Sequence, residues 1–482
     1  MNLEEIVAEK NLLTTPEVLE DYRRDRSFVR PIRPRAVVKV RSAGEVQAVV
    51  TWANETRTPL VPVSSAGPHF NGDTVPSVGG AVIVDLSDMK RVLRVDRRNR
   101  VVMIEPGVTF DELRPALEKA GLAPLTPLVP RQGKSVLTSF LERTPITAPR
   151  FHWEPQDPLQ CVEVIYGTGE LMRTGSAALP LSLEKQWELG KAQMRGMGPS
   201  QVDFTRLLQG AQGTLGVVTW GSIKCRPLPK QKKMFLVGCT AAAPLMELAY
   251  GITFRKLGEE VLVLNRTNLS ALLGTTEDEI RTLRDRLPPW VLVLGIDGAG
   301  VLPEEKIAYQ EAECADVAQS VGLALHAALP GTTARAVEAV LGASSEPYWK
   351  LRWRGACAEI FFLTTLDKAC GLVDTLRGLA ADRLYCTEDI GVYIQPTVQG
   401  ANCHVHLDLS YAPASRHDAA KVAWLVDEGA AVLAGAGAFF SRPYGPWARV
   451  AYDRNPQVAV AQRKLKQIFD PNGILNPGKL CF

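Results

Sequence analysis

Two of the six histidines, His404 and His406, lie two residues apart in Gln399–Tyr411, QGANCHVHLDLSY. Positions i and i+2 of a strand share one face, so both imidazoles point the same way. There they either supply a base or simply pack on a sheet. A second candidate is Phe439–Trp447, FFSRPYGPW, where Arg442 and Tyr444 sit two apart among aromatic rings. That guanidinium is either a surface group packed on rings or a buried clamp for a carboxylate or phenolate. In Tyr348–Arg354, YWKLRWR, aromatic and basic residues alternate. On a strand, Trp349, Leu351 and Trp353 face one way and Lys350, Arg352 and Arg354 the other. The basic face is expected to meet solvent rather than to line a channel for an anionic substrate.

Chemistry of this kind needs a scaffold, and Asp203–Pro229 is its most informative part. Gly210, Gly213 and Gly216 precede the apolar run Val217-Val218-Thr219, and no charge appears until Lys224. Glycines let a backbone approach a planar or phosphorylated ligand closely. A backbone-lined slot feeding a buried strand points to a large bound cofactor; a tight turn before a core strand is the plainer alternative. Pro59–Gly72, PLVPVSSAGPHFNG, is a short apolar strand followed by small residues. Such a run can turn several N–H groups toward an anion. It matches neither a GxxxxGK[ST] loop nor a GxGxxG fingerprint. Val101–Leu113, VVMIEPGVTFDEL, reads as a strand, a Pro-Gly turn and a helix capped by Thr109 and Glu112.

In this order the segments resemble the FAD-binding domain of the vanillyl-alcohol-oxidase/p-cresol-methylhydroxylase superfamily, and among its members the FAD-linked glycolate/D-lactate dehydrogenase branch. SVLTSFLER (Ser135–Arg143) resembles that group's second flavin-contacting loop, and FDPNGILNPGKLCF (Phe469–Phe482) its C-terminal signature. The resemblance implies an α+β chain with a two-part FAD-binding domain and an antiparallel-sheet cap that holds substrate. It implies cofactor contacts from Pro62, Val63, Ser64, Ser65, Ala66, Gly67, Pro68 and His69. Further contacts are expected from Pro106, Gly107, Ser135, Thr138 and Ser139, from Gly210, Gly213, Thr214, Gly216, Val217 and Val218, and from Asn476 and Lys479. The family's arginine- and glycine-rich nest is here Val63-Ser64-Ser65-Ala66-Gly67, which keeps the backbone donors and loses the arginine. His69 lies in the nest, but alignment on Pro62 puts Gly67 at the usual attachment slot, so non-covalent FAD is expected.

In the hydroxy-acid branch a similarly placed strand opens with a histidine beside the flavin, often bound to a divalent metal. His406 best fits that slot, with His404 its neighbour. The acidic-His motif that completes that metal site is missing from the matching region, Phe439–Pro446. No metal ligands are therefore assigned, and a metal-free histidine base is expected. In the phenol-oxidising branch a late Arg/Tyr combination holds the phenolate, as Arg442 and Tyr444 would here.

Composition agrees. A chain of 482 residues is too long for one core and suits two domains. A net charge of +3 is too small to argue for a nucleic-acid partner. The N-terminus, MNLEEIVAEK, has no apolar h-region, and no stretch reaches the ~18 apolar residues of a membrane span. A cytoplasmic protein is expected. Nine scattered cysteines form no CxxC, so any iron–sulfur relay must belong to a separate acceptor protein.

The pattern predicts strands at Ala36–Val40, Leu60–Val63, Ala81–Leu86, Val92–Val95 and Val101–Ile104, then a hairpin of Leu159–Tyr166 and Glu170–Thr174. A surface excursion follows over Gly175–Gly198, and a Pro- and Lys-rich linker over Pro227–Lys233. Helices are expected at Leu245–Leu257, Glu277–Arg286, Pro303–Val321, Leu366–Ala381 and Gln457–Phe469. Strands are expected at Val261–Asn265, Trp290–Ile296, Ile390–Val398 and His404–Tyr411. The expected division is an FAD domain over 1–229, a cap over 230–440 and a segment over 441–482 that returns to the FAD domain. The expected activity is hydride transfer from a small 2-hydroxy acid, with His406 or Tyr444 accepting the proton and Arg442 orienting the acid. The alternatives are oxidation of a 4-alkylphenol or vanillyl-type alcohol, and a flavin-bearing electron-transfer subunit. A homo-oligomer is compatible with the sequence.

Overall fold

A computed structural model describes residues 3–149, 158–397, 400 and 402–482. Val398, where one expected strand ends, and Gln399 and Ala401 beside the histidine pair lie outside the described residues.

Three sheets carry the molecule. In the first, Ala36–Lys39, Val82–Asp85 and Leu60–Val63 run parallel, and Leu12–Leu13 joins at one edge. The crossover helix Ala43–Thr56 starts at Ser42, whose hydroxyl accepts from the Glu45 amide. Leu475 forms a parallel bridge with Leu60 at the other edge. Lys466, only 8% exposed, donates to the carbonyls of Thr214 and Leu475 and to Asp470. The DPNG turn is thereby tied to both the glycine loop and the first sheet.

The second sheet is antiparallel, in the order Val92–Asp96, Val101–Ile104, Gly216–Lys224, Leu159–Tyr166 and Leu171–Arg173. Its central strand, Gly216–Lys224, is buried except at Val218 and Lys224, as its uncharged sequence requires. The helix Phe110–Lys119 opens with the expected Thr109–Glu112 capping box.

The third sheet has six antiparallel strands in the order Gln231–Cys239, Trp290–Gly298, Val261–Asn265, Ile390–Pro396, Asn402–Tyr411 and Ala356–Thr365. Helices Ala243–Phe254, Pro303–Ser320, Leu366–Asp382 and Arg416–Gly435 cover it in one continuous apolar cluster.

Four expectations change. Lys232 and Lys233 belong not to a linker but to the strand beginning at Gln231, which pairs residue by residue with Trp290–Gly298. Gly175–Gly198 is packed rather than loose: the helix Leu183–Glu188 buries Gln186, whose amide accepts from Gln193. Ala356–Thr365 is a strand where none was expected. Finally, Tyr348–Arg354 is not a strand. Trp349–Leu351 forms a single 3₁₀ turn, entered through Pro347, with the Trp349 amide donating to the Ser345 hydroxyl. Trp349 is 1% exposed and its indole donates to the Val129 carbonyl. Burying such a ring contributes roughly 2–3 kcal/mol, more than a short edge strand would return.

Among the described residues no helix is long and apolar enough to cross a membrane. All nine cysteines are free thiols.

Candidate active site

Between the third sheet and the small-residue loop lies a cavity of about 180 Å³. Its cap-side wall is set by strand register. His406 is flanked in the ladder by Phe361 on one strand and Tyr393 on the other, and Asp408, two residues on, stands opposite Glu359. The 3₁₀ turn at Trp349 then lowers Lys350 onto this surface. Its ammonium lies 2.7 Å from Glu359 Oε1, 2.8 Å from Asp408 Oδ1 and 2.8 Å from His406 Nε2. The lysine is 7% exposed, which overturns the expected solvent-facing basic stripe.

Burial works against every charge in this cluster, yet the carboxylates and the ammonium outweigh it. Lys350 is held charged, well above its ordinary pKa, by Asp408 and Glu359. Glu359 is held far below the usual carboxylate range by Lys350 and His406. For His406, burial and Lys350 pull the imidazole down, while Asp408 and Glu359 more than compensate and raise it. Asp408 also accepts from the Asn268 side-chain amide at 2.8 Å. His404 is 2% exposed, and its Nε2 lies 3.5 Å from His406 Nδ1. It backs His406 without lining the cavity.

Arg442 lines the same cavity from a third direction. It is 7% exposed, its guanidinium stacks 4.3 Å from the centre of the Phe361 ring, and one N–H donates to the Glu142 carbonyl at 3.2 Å. Among the described residues it forms no ion pair; burial lowers its pKa, and Glu142 and Glu359, which line the same cavity, act on it only at longer range. Tyr444 opens instead on two neighbouring cavities and stays a neutral phenol, because burial raises its pKa.

The opposite wall is backbone and hydroxyl. Pro62, Val63, Ser64, Ser65, His69, Thr138 and Ser139 line the first cavity. A second, of about 100 Å³, is lined by Pro106, Gly210, Gly213, Gly216, Val217 and Val218. The two share Pro62, Ser64, Asp73, Thr138 and Glu142, so they adjoin as one long slot. Gly213 has φ +69°, and a Cβ there would come 2.4 Å from Pro62 Cγ; one on Gly216 would come 2.4 Å from Val164 Cγ2. Only glycine lets this loop lie so close to Pro62. A slot with one glycine-lined end, one hydroxyl-lined middle and one charged end would suit a dinucleotide, held by the glycine loop and the nest and leaving the charged end for substrate chemistry.

The remaining expected contacts serve the frame. Gly107 packs on the Ser87 carbonyl, Thr214 is buried and donates to Ala211, and Ser135 caps the helix Val136–Leu141. Asn476 ties Asp73 to Gln212, and Lys479 donates to the Gly72 carbonyl. Ala66, Gly67 and Pro68 edge the nest outside the lining of either cavity. The nest's lost arginine has a substitute that was not foreseen: Arg131, 6% exposed, reaches across to donate to the Ala66 carbonyl. Desolvation, Arg131 and Lys134 push the His69 imidazole down to about 3, so it is neutral. Lys350 was expected on a solvent-facing stripe, and Glu359, Asp408 and Tyr393 were not foreseen. Asp408 alone carried a readable signal, as the third member of the His404–His406 face.

The chain is similar to known proteins in sequence and fold. Residues 34–175 match the family described as FAD binding domain, and 447–480 that described as FAD linked oxidases, C-terminal domain. The chain is 25% identical to D-lactate dehydrogenase of Anaerostipes hadrus, over 99% of this chain and 96% of the relative. It is 31% identical to the glycolate oxidase subunit GlcD of Bacillus subtilis, over 42% of this chain and 39% of that one. The fold superposes on substrate-bound p-cresol methylhydroxylase with a TM-score of 0.83 at 17% identity, covering 100% of this chain and 95% of the other. The chain is an FAD-dependent oxidoreductase with an FAD binding domain and an FAD linked oxidase C-terminal domain, and it shares the fold of p-cresol methylhydroxylase.

Proposed function

We propose that this enzyme oxidises a small 2-hydroxy acid to the 2-oxo acid. The observation that carries this reading is the buried, ion-pair-free Arg442 facing the same cavity as His406. A guanidinium so placed calls for an anion, and the substrate carboxylate supplies it in a bidentate fork. Phe361 sets the spacing between the two groups: its ring packs 5.3 Å from the His406 ring and beneath Arg442. With the carboxylate on Arg442, the carbinol oxygen falls to His406, which accepts its proton as the C–H bond is broken. FAD held by the nest, Thr138 and the Gly210–Val218 loop supplies the acceptor for the hydride. The full-length similarity to a D-lactate dehydrogenase supports the same substrate class.

A second reading has its own observation. Tyr348 and Tyr393 line the cavity with Arg442, and three such groups suit the phenolate of a 4-alkylphenol. Burial keeps both tyrosines protonated, as donors. We propose further that electrons leave through a separate acceptor, an iron–sulfur protein among the candidates.

Anaerobic mixing of the yellow holoenzyme with each enantiomer of lactate, with glycolate, and with 4-alkylphenols tests these readings. Bleaching by a hydroxy acid alone is expected. Bleaching by phenols alone would transfer the assignment to the second reading. A flavin bleached by neither class points to an electron-transfer subunit.

A further inference from the structure

Glu359, His406 and Asp408 offer three ligand atoms within 4.8 Å of one another, a spacing at which two carboxylates and an imidazole hold a divalent cation. His406 Nε2 lies 3.3 Å from Asp408 Oδ1 and 3.6 Å from Glu359 Oε2. In this chain the centre of that set is filled. Lys350 Nζ touches all three residues at 2.7–2.8 Å, which are hydrogen-bond distances. An ammonium has three N–H donors, and here two of them meet the carboxylates of Glu359 and Asp408 while the third side faces the His406 ring. The valence of the set is satisfied without a metal.

We infer that the Lys350 ammonium is the resident cation of this site, standing where a divalent metal would bind, and that the enzyme therefore works metal-free. The charge argument is direct. A divalent ion at the centre of the set would need the same oxygens and nitrogen that Lys350 uses. It would also meet a positive charge within a few ångströms in a dry wall, where like charges repel strongly. The lysine does not swing away easily. Trp349, the residue before it, is buried and hydrogen-bonded to Val129, and the Nζ lies 5.3 Å from that indole ring. The ammonium also fixes the site's polarity. Its Nζ lies 2.8 Å from His406 Nε2 and so holds that edge of the imidazole toward the two carboxylates. Lys350 is thus a positioning residue for His406, and this holds whichever substrate class the cavity takes.

The test reads metal rather than turnover. Purified holoenzyme is analysed for bound metals, incubated with a strong chelator, and titrated with Co²⁺ while d–d absorption is followed. The same titration is run on Lys350→Ala, which empties the centre, and on Lys350→Met, which keeps it filled with an apolar chain. Expected are substoichiometric metal and full activity after chelation in the wild type, and one Co²⁺ per chain in Lys350→Ala only. Stoichiometric metal in the wild type, with activity lost to the chelator, would overturn the inference. So would a Lys350→Ala protein that retains FAD but takes up no Co²⁺, because the three groups would then not be a cation-binding set. Should Lys350→Ala fail to fold, metal content and chelator response of the wild type still decide.

Discussion

The two walls of the cavity are built from different materials. The side we propose for the flavin is backbone, hydroxyl and glycine, drawn from Pro62–His69, Ser135–Ser139 and Gly210–Val218. The cap side is charged side chains on stiff antiparallel strands, with Lys350 clamped by two carboxylates. The first wall can approach its ligand through backbone donors, which do not depend on side-chain identity. The second is where one cation, one ring or one acid changes what is bound. Conformation is the costly resource on one side and charge on the other.

That contrast is open to being broken. The largest effect is expected from Asp408→Ala, which removes one of the two carboxylates beside a buried ammonium. Chemical denaturation should show a loss of about 3–5 kcal/mol; a loss under ~1 kcal/mol would mean that the cap wall does not depend on charge balance. Arg442→Ala should lower kcat/KM by the equivalent of roughly 2–4 kcal/mol while FAD stays bound, and unchanged kinetics would remove Arg442 from the site. His406→Asn should slow flavin reduction by ~10²-fold or more in stopped flow, and bleaching at the wild-type rate would exclude it as the base. On the opposite wall, Gly213→Ala forces a Cβ against Pro62 at positive φ, and should lower stability and FAD retention by about 1–3 kcal/mol. The smallest effect belongs to Gly67→Ala. No protein atom lies within 4 Å of the Cβ it would add, so thermal unfolding should be nearly unchanged. Equal effects at Gly213 and Gly67 would show that close approach is not what the glycines provide.

The same contrast governs how much was legible in the sequence. The flavin wall is made of local runs, in which a strand is followed at once by small residues or glycines, so composition at one place announces its purpose. The cap wall is assembled across the chain. Glu359 reaches the site through a strand, Ala356–Thr365, whose run of Ala, Ile, Phe and Thr could have been recognised as extended but gives no hint of its register. Pairing of that strand with Asn402–Tyr411 decides that Glu359 meets Asp408. Lys350 was misplaced for a different reason. The alternation in YWKLRWR suggested a strand with the tryptophans on one face, and both Trp349 and Trp353 are buried. What decided the backbone was Pro347 and the Ser345 hydroxyl, and a 3₁₀ turn sends the neighbouring lysine inward instead of to solvent. Arg131 escaped notice because the nest it braces lies 65 residues earlier.

The bridge between Leu60 and Leu475 has a consequence for biogenesis. The strand that launches the nest gains its outer neighbour only when a segment more than four hundred residues downstream has left the ribosome. A nascent chain therefore carries an open sheet edge through the synthesis of the whole cap. If FAD needs this edge closed, a chain halted before Asp470 should emerge colourless however much FAD surrounds it.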